Sequence, residues 1–286
     1  HAIRLPYVAT ILPPRQTFFR VIELPTMPDK EISEAVRWKL DSLTPWSEEL
    51  EFDWQILRKT PDKLIIFAAG AKKETVTAIM GLLKKAKLIP TVMDLAENAL
   101  ARAVIPKDSS EKIILVNMGC GYTLFSAFDS GNLSFTWESE LTGEEFTKAI
   151  SKGMNVTAEE AETIGINCSS QNVSQENKQV LEILEPVFSD FAKEAQKVIN
   201  YLQENRSVSD IKKIVLAGEC PFLTSFAPFL ALKLPLPVEL ADPYSAQGSL
   251  FKNLAKKIPL GEILPLSQLL GISLRALDPF NNSFRK

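Results

Sequence analysis

Histidine is almost absent from this sequence of 286 residues. The single histidine, His1, stands at the first position. Catalytic Ser-His-Asp triads and Cys-His pairs both need an imidazole that accepts a proton, so the composition excludes these two nucleophilic mechanisms. It also disfavours a zinc site that is built on histidine ligands.

Cysteine is scarce as well. The three cysteines, Cys120, Cys168 and Cys220, are odd in number, lie far apart and form no Cys-x-x-Cys pair. Neither a disulfide framework nor a paired-thiol metal site is indicated by such spacing. We therefore expect three inert thiols in a reducing, cytoplasmic compartment.

Neither a basic surplus nor a long apolar run is present. The formal net charge is −3, so the composition gives no indication of nucleic-acid binding, and no polybasic segment predicts an anionic membrane surface as a partner. No run of about 18 apolar residues occurs. The most apolar window, residues 222–240, contains Lys233 and three prolines. The sequence predicts no direct insertion into a membrane.

The first residues lack the marks of a natural N-terminus. The chain begins with His1 rather than Met, enters an apolar segment almost at once and has no secretory signal. We expect that the natural protein has further residues before position 1.

What the chain does contain is an alternation of strand and helix patterns, which predicts an α/β fold. Residues 17–88 follow a β-α-β-β-α order. Two apolar stripes mark the helices of this segment, Ile32, Ala35, Val36, Leu40 and Leu43 in the first and Val76, Ile79, Met80 and Leu83 in the second.

Helix ends carry their own signals. Pro45 is expected to stop the first helix, and capping boxes are expected at Thr142 and Thr157, each of which has Glu three residues later. A long helix that contains Pro186 follows a polar loop at 168–176.

Residues 113–132 form the most informative segment. An apolar run ends at Asn117, and Gly119 and Gly121 follow it before Thr123 opens a second apolar run. This pattern predicts a β-hairpin whose first corner is free of bulky side chains. Backbone N–H groups at such a corner can approach an anion closely.

Seven short motifs lie at 22–28, 35–39, 44–46, 53–57, 71–74, 82–86 and 271–275. In their order and spacing they resemble the PilM family of type IV pilus assembly proteins, within the actin-like ATPase superfamily. The resemblance implies an actin-like (ribonuclease-H-like) two-domain fold with a small inserted β-α-β-β-α module.

The resemblance also implies a division of the chain. It gives a remnant of the first actin-like half at 1–16, the inserted module at 17–88 and a connecting strand and helix at 89–110. The second half, with the nucleotide motifs, is expected at 111–259, and a C-terminal helix that returns to the first half at 260–286.

In such proteins ATP lies between the subdomains, and the resemblance assigns nucleotide-binding roles to a set of residues here. These are Asn117, Gly119, Gly121, Thr123, Gly143, Glu194, Lys197, Gly218 and Glu219. Asn117 stands where the family has an acid, and an amide neither binds Mg²⁺ strongly nor acts as a base. Glu219 adds charge where the family has a second glycine. The family's first phosphate motif has no counterpart before Val8.

Simpler explanations exist for most of these residues. The glycines can merely turn a hairpin, and Gly218 can merely end a strand. Glu194 and Lys197 can be an ordinary solvent-facing helix pair, and Trp38 is expected to pack in the module's core.

By resemblance, the chain is expected to be a cytoplasmic scaffold of a pilus assembly complex, peripheral to the inner membrane through its partners. Expected partners are the cytoplasmic tail of a PilN-like membrane protein, with Arg37 and Trp38 as contact residues, and other pilus components. ATP with Mg is expected as a conformational ligand, weakened by Asn117 and by the missing first motif, with no catalytic residue and little or no hydrolysis.

Two alternatives remain open. One is an active ATPase or sugar-kinase relative, which needs a carboxylate near the phosphates. Asp129 lies in a turn past the hairpin, and no other acid is expected at the glycine corner. The other is a cell-division scaffold or a type II secretion component of the same superfamily.

Overall fold

The computed structural model describes residues 5–43, 49–168, 175–204, 210–220, 223–251 and 257–277. Pro45, Trp46, most of the loop at 168–176 and the tail after 277 lie outside the described residues. The chain divides into two compact units, His1–Ala99 with Gly271–Lys286 as unit 1 and Leu100–Leu270 as unit 2.

Unit 1 contains the predicted β-α-β-β-α module. Its elements are β2 (Thr17–Pro25), α1 (Asp29–Asp41), β3 (Leu50–Lys59), β4 (Lys63–Lys72) and α2 (Lys73–Lys85). The three strands form an antiparallel sheet in the order β2-β4-β3. The predicted element order is confirmed.

Helix α1 covers one face of this sheet. Ile32, Val36 and Leu40 recur every four residues, are fully buried and pack with Ile22 and Ile66 of the sheet. Trp38 follows Val36 by two residues, about 200° around the helix, and is therefore 75% exposed. The expectation that Trp38 packs in the core is wrong.

Two smaller expectations about the stripes are also wrong. Leu43 lies beyond the end of α1 and is 41% exposed. Met80 lies at the flank of the buried side of α2 and is 46% exposed.

The rest of the described part of unit 1 contains a parallel pair of strands and the parts of two helices that fall within residues 1–99 and 271–286. Strands β1 (Tyr7–Ile11) and β5 (Ile89–Asp94) pair side by side. Val92 packs against Ala99 of α3 (Ala96–Val104) and Ile272 of α10 (Ser267–Leu277).

Unit 2 is built on a five-stranded mixed sheet in the order β10-β9-β6-β7-β8. Its strands are β6 (Lys112–Met118), β7 (Thr123–Asp129), β8 (Asn132–Ser139), β9 (Lys213–Ala217) and β10 (Val238–Leu240). Strands β6 and β7 form the predicted hairpin, and β9 lies parallel to β6 on the other side.

Helices surround this sheet. They are α4 (Gly143–Met154), α5 (Ala158–Asn167), α6 (Gln175–Glu204), α7 (Leu223–Lys233), α8 (Pro243–Gln247) and α9 (Leu260–Ile263). Buried aromatic rings join α4, α6 and α7 to the sheet. The ring centroids of Phe125 and Phe191 lie 5.2 Å apart. The centroid of Phe226 lies 5.6 Å from that of Phe146 and 4.7 Å from that of Phe188. No helix of the described residues is long and apolar enough to cross a bilayer.

The two predicted capping boxes have different outcomes. The box of Thr157 with Glu160 is confirmed, with both reciprocal hydrogen bonds formed. Thr142 precedes α4, but its side chain makes no capping hydrogen bond. That part of the expectation is wrong, because the Glu145 amide, from which a capping-box hydroxyl would accept, donates to the Thr142 backbone carbonyl at 3.1 Å.

Candidate functional site

The glycine corner of the β6–β7 hairpin is narrow at its base and open at its tip. The Gly119 amide donates to the Tyr122 carbonyl at 2.9 Å and closes the turn. A Cβ added at Gly121 would meet no atom within 4 Å. In the described part of the chain the amides of Cys120 and Gly121 have no hydrogen-bond partner. Two N–H groups at the tip are thus free for an acceptor.

Helix α4 begins against this corner. The Gly143 amide donates to the Gly119 carbonyl at 2.9 Å, and the Glu144 amide donates to the Cys120 carbonyl at 3.1 Å. A Cβ at Gly143 would lie 2.9 Å from the Gly119 oxygen. The first amides of α4 therefore hold the corner in place instead of pointing at solvent.

The loop after β9 reaches the same place. Gly218 has a φ of +116°, and a Cβ there would overlap the Met118 carbonyl oxygen and lie 2.7 Å from the Met118 nitrogen. The Cys220 amide donates to the Met118 carbonyl at 3.0 Å. Glu219, between them, is exposed. Three segments singled out in the sequence thus converge on residues 118–120.

Glu194 lies on α6 and faces strand β8. Its carboxylate accepts hydrogen bonds from Ser139 Oγ at 2.6 Å and from Trp137 Nε1 at 3.1 Å. Ser139 Oγ in turn accepts from the Leu141 amide at 3.0 Å, in the connection that leads to α4. Both oxygens of Glu194 are engaged with the protein, whereas Lys197 is exposed.

Asn117 is buried at the end of β6, with 2% of its surface exposed. Its Nδ2 donates to the Tyr122 hydroxyl oxygen at 3.4 Å. The same hydroxyl oxygen also accepts from Gln268 Nε2 at 3.0 Å. Asn117 Oδ1 and Thr123 Oγ1 have no partner in the described residues. Tyr122 contacts only one of the two polar side-chain atoms of Asn117. Whichever way the amide is oriented, the other atom has no partner in the described residues.

No motif in the sequence connects Tyr122 and Gln268 with the site. Tyr122 could have been noticed because it lies directly beside the glycines. Gln268 lies 146 residues away along the chain, and no local pattern marks it.

The electrostatic environment of the corner is negative. Partial burial and the nearby carboxylates of Glu162, Glu219 and Glu144 raise the pKa of the Cys120 thiol. The expectation that no acid other than Asp129 lies near the corner is therefore wrong. Among the described residues, however, no three His, Cys, Asp or Glu side chains are grouped closely enough to hold a metal ion.

The two candidate partner-binding residues differ in their surroundings. Arg37 Nη1 donates to the Leu50 carbonyl at 2.9 Å, and the guanidinium lies over the Phe52 ring, 5.2 Å from its centroid. Trp38 presents most of its ring to solvent. Arg37 thus joins α1 to β3, and Trp38 is the side chain available to a partner.

Unit 1 contains one further perturbed group that sequence reasoning missed. Glu97, in the first turn of α3, is buried, and its Oε2 has no partner in the described residues. Burial, together with the nearby charge of Asp94, raises the pKa of Glu97 to about 7.

The family model described as type IV pilus assembly protein PilM matches residues 2–259 of this sequence. The chain belongs to the PilM family. It also resembles a solved PilM-PilN type IV pilus biogenesis complex, with 23% identity, 97% of this chain and 81% of that chain covered, and a TM-score of 0.77.

Actin-like proteins resemble this member of the PilM family more distantly. The ethanolamine utilization protein EutJ from Carboxydothermus hydrogenoformans is 19% identical, with 71% of this chain and 60% of that chain covered and a TM-score of 0.50. MreB5 of Spiroplasma citri bound to AMPPNP is 15% identical, with 65% and 66% covered and a TM-score of 0.50. The predicted family and the actin-like α/β fold are confirmed, and the chain is an actin-like component of type IV pilus assembly.

Proposed function

We propose that this PilM-family protein is a scaffold that binds the cytoplasmic tail of a PilN-like membrane protein, and that nucleotide acts on it as a conformational ligand. Family membership favours a pilus complex over the cell-division and type II secretion alternatives. The similar solved structure is a PilM-PilN complex, which supports a PilN-like partner here. The scaffold is then cytoplasmic, peripheral to the inner membrane through this and other pilus components.

The observation that carries the nucleotide proposal is the convergence of Gly119, Gly143 and Gly218 on one hairpin corner, with two free amides at its tip. Free N–H groups at a glycine corner suit phosphate oxygens. A ligand that bonds to these amides in only one arrangement of the chain would shift the population toward that arrangement.

The negative surroundings of Cys120 bear on the form of the ligand. Three carboxylates that raise the pKa of a thiol would also repel a bare triphosphate. We therefore propose that ATP binds as its Mg²⁺ complex, since the cation offsets part of the phosphate charge.

Asn117 supports weak or absent hydrolysis. Its buried amide contacts a tyrosine hydroxyl and supplies neither a negative charge for Mg²⁺ nor a base for water. Hydrolysis at a rate typical of ATPases, unchanged by Asn117→Asp, would contradict this part of the proposal.

Gly121→Val tests the nucleotide site. A Cβ at this position would meet no atom within 4 Å, so we expect the added side chain to crowd a ligand at the free amides rather than the protein. We expect unchanged thermal stability and a loss of Mg-ATP binding, measured by isothermal titration calorimetry. The matched control is Gly81→Val, at an equally open glycine on α2. Unchanged Mg-ATP affinity in Gly121→Val would refute a phosphate role for the corner.

Trp38→Ala tests the partner surface. Exposed tryptophan is a frequent anchor of protein interfaces, and truncation of such an anchor costs about 2 kcal/mol or more of binding. We expect the affinity for a synthetic PilN-like tail to fall by about thirtyfold without loss of stability. Leu82→Ala, at a similarly exposed apolar side chain, is the control.

An active ATPase is the second candidate, and the carboxylates of Glu144, Glu162 and Glu219 near the corner are the observation that favours it. Single-turnover assays with Glu144→Gln and Glu219→Gln distinguish the two candidates. A loss of measurable turnover in either variant favours an enzyme, whereas negligible turnover in the unmodified protein favours a scaffold.

A further inference from the structure

Lysine is concentrated on α2 and the turn that follows it. Residues 72–89 contain five lysines and one glutamate, with no arginine and no aspartate, although the whole chain has a net charge of −3. Lys73, Lys84, Lys85 and Lys87 are all exposed, and we name these four residues the α2 lysine face. Within the described part of the chain none of the four has an ion-pair partner.

The helix brings together charges that are separated in sequence. Lys73 and Lys84 are eleven residues apart, which is about three helical turns, so they lie on the same side of α2. The sequence alone shows only two short lysine clusters, at 72–73 and 84–87, and neither is a polybasic segment. Leu82, the most exposed large apolar side chain of the helix at 67%, lies three residues before Lys85 on the same side.

Lys87 occupies an unusual backbone position. The Leu88 amide donates to the Leu83 carbonyl and the Lys87 amide to the Lys84 carbonyl, which together form a Schellman cap. This cap places Lys87 at a φ of 58°, where glycine is the usual residue. The corresponding residue after α4 is Asn155, a residue that tolerates this conformation better. A lysine held in a strained conformation suggests that its side chain has a use.

We propose that the α2 lysine face docks on the surface of an anionic lipid bilayer. Lysine ammonium groups on flexible stems suit diffuse attraction to a charged headgroup layer. An interface with an acidic protein would favour arginine, which pairs bidentately with carboxylates, whereas lysine is depleted from protein interfaces. The exposed Leu82 adds apolar surface beside the charges. This contact goes beyond recruitment through a membrane-protein partner, because it needs only the chain and the lipid.

The test is flotation of the purified full chain with vesicles. One set contains only phosphatidylcholine, and the other contains phosphatidylcholine mixed with phosphatidylglycerol. We expect binding to the anionic vesicles alone, and loss of that binding in high salt, since the Debye length falls from about 10 Å at 0.1 M to about 3 Å at 1 M. Each lysine near such a surface contributes about fivefold in affinity. The triple variant K84E/K85E/K87E should therefore bind at least about a hundredfold more weakly.

A matched control separates the α2 lysine face from overall charge. The triple variant K152E/K178E/K193E changes the net charge equally, at exposed lysines on helices of unit 2, and should retain binding. Equal loss in both triple variants, or no binding of the unmodified chain to anionic vesicles, would overturn the proposal. Salt-sensitive binding to soluble polyglutamate without vesicle binding would overturn it in favour of an acidic protein partner.

Lys87→Gly tests whether misfolding explains a loss of vesicle binding in the triple variant K84E/K85E/K87E. This substitution removes one charge and the backbone strain together, so we expect about fivefold weaker vesicle binding in a protein that is at least as stable. Unchanged vesicle binding in this variant would contradict the proposed α2 lysine face, which includes Lys87.

Discussion

Replacing Glu97 with glutamine should stabilise the protein in a way that depends on pH. In the folded chain burial raises the pKa of Glu97 to about 7, against 4.5 for an ordinary glutamate. Below about pH 4.5 the carboxyl keeps its proton in both the folded and the unfolded states. Between about pH 4.5 and about pH 7 the unfolded chain releases the proton first, so ionisation increasingly favours unfolding.

The size of this effect follows from the difference in pKa. About 2.5 pKa units at 1.36 kcal/mol each give a loss of about 3 kcal/mol above pH 7. Glutamine has nearly the same shape and cannot ionise. Glu97→Gln should therefore match the unmodified protein near pH 4.5 and exceed its unfolding free energy by up to about 3 kcal/mol near pH 8.

Urea unfolding of both proteins, followed by circular dichroism across this pH range, measures the difference. Glu51→Gln, at an exposed glutamate of the same unit, is the control. A gain for Glu97→Gln that is constant with pH, or that grows as the pH falls, would refute the role assigned to burial.

Three further predictions concern stability. Gly218→Ala should cost at least about 3 kcal/mol, because it combines a positive φ with overlap onto the Met118 backbone; urea unfolding that matches the unmodified protein would contradict this. Lys87→Gly should raise the unfolding free energy by about 0.5–1 kcal/mol through relief of the left-handed conformation, and a lower melting temperature would count against it. Glu194→Ala should cost about 2 kcal/mol with or without nucleotide, because it leaves the Ser139 hydroxyl and the Trp137 indole unpaired; a cost that appears only when nucleotide is bound would instead indicate a ligand role.

The inserted module shows what periodicity can predict. The spacing of Ile32, Val36 and Leu40 fixed the buried side of α1, because a helix brings every fourth residue to the same face. The same geometry, applied to Trp38, would have placed it in solvent. The general preference of tryptophan for burial predicts the opposite, and the position on the helix decides the outcome.

The hairpin corner shows where local patterns stop. Its turn and its open tip at Gly121 followed from glycine spacing, but the hydrogen bonds of Asn117 and Tyr122 with Gln268 join segments far apart in the chain. The side chain of Thr142 was expected to cap α4 because the local sequence fits a capping box. Instead, the Glu145 amide donates to the Thr142 carbonyl, and the Gly119 and Cys120 carbonyls accept from the Gly143 and Glu144 amides. The contacts of α4 with the hairpin corner leave no trace in the four residues of the motif.

The glycine contacts change how relatives of this protein should be compared. Gly143 and Gly218 have no room for a methyl group beside the strand and corner backbone, so packing alone would preserve both glycines, whether or not a ligand binds at the corner. Gly121 faces empty space, and drift would replace it freely unless something occupies that space. Among homologous sequences, a constant glycine at this position would therefore indicate a ligand at the corner. Varied residues there would indicate that no ligand fills the space.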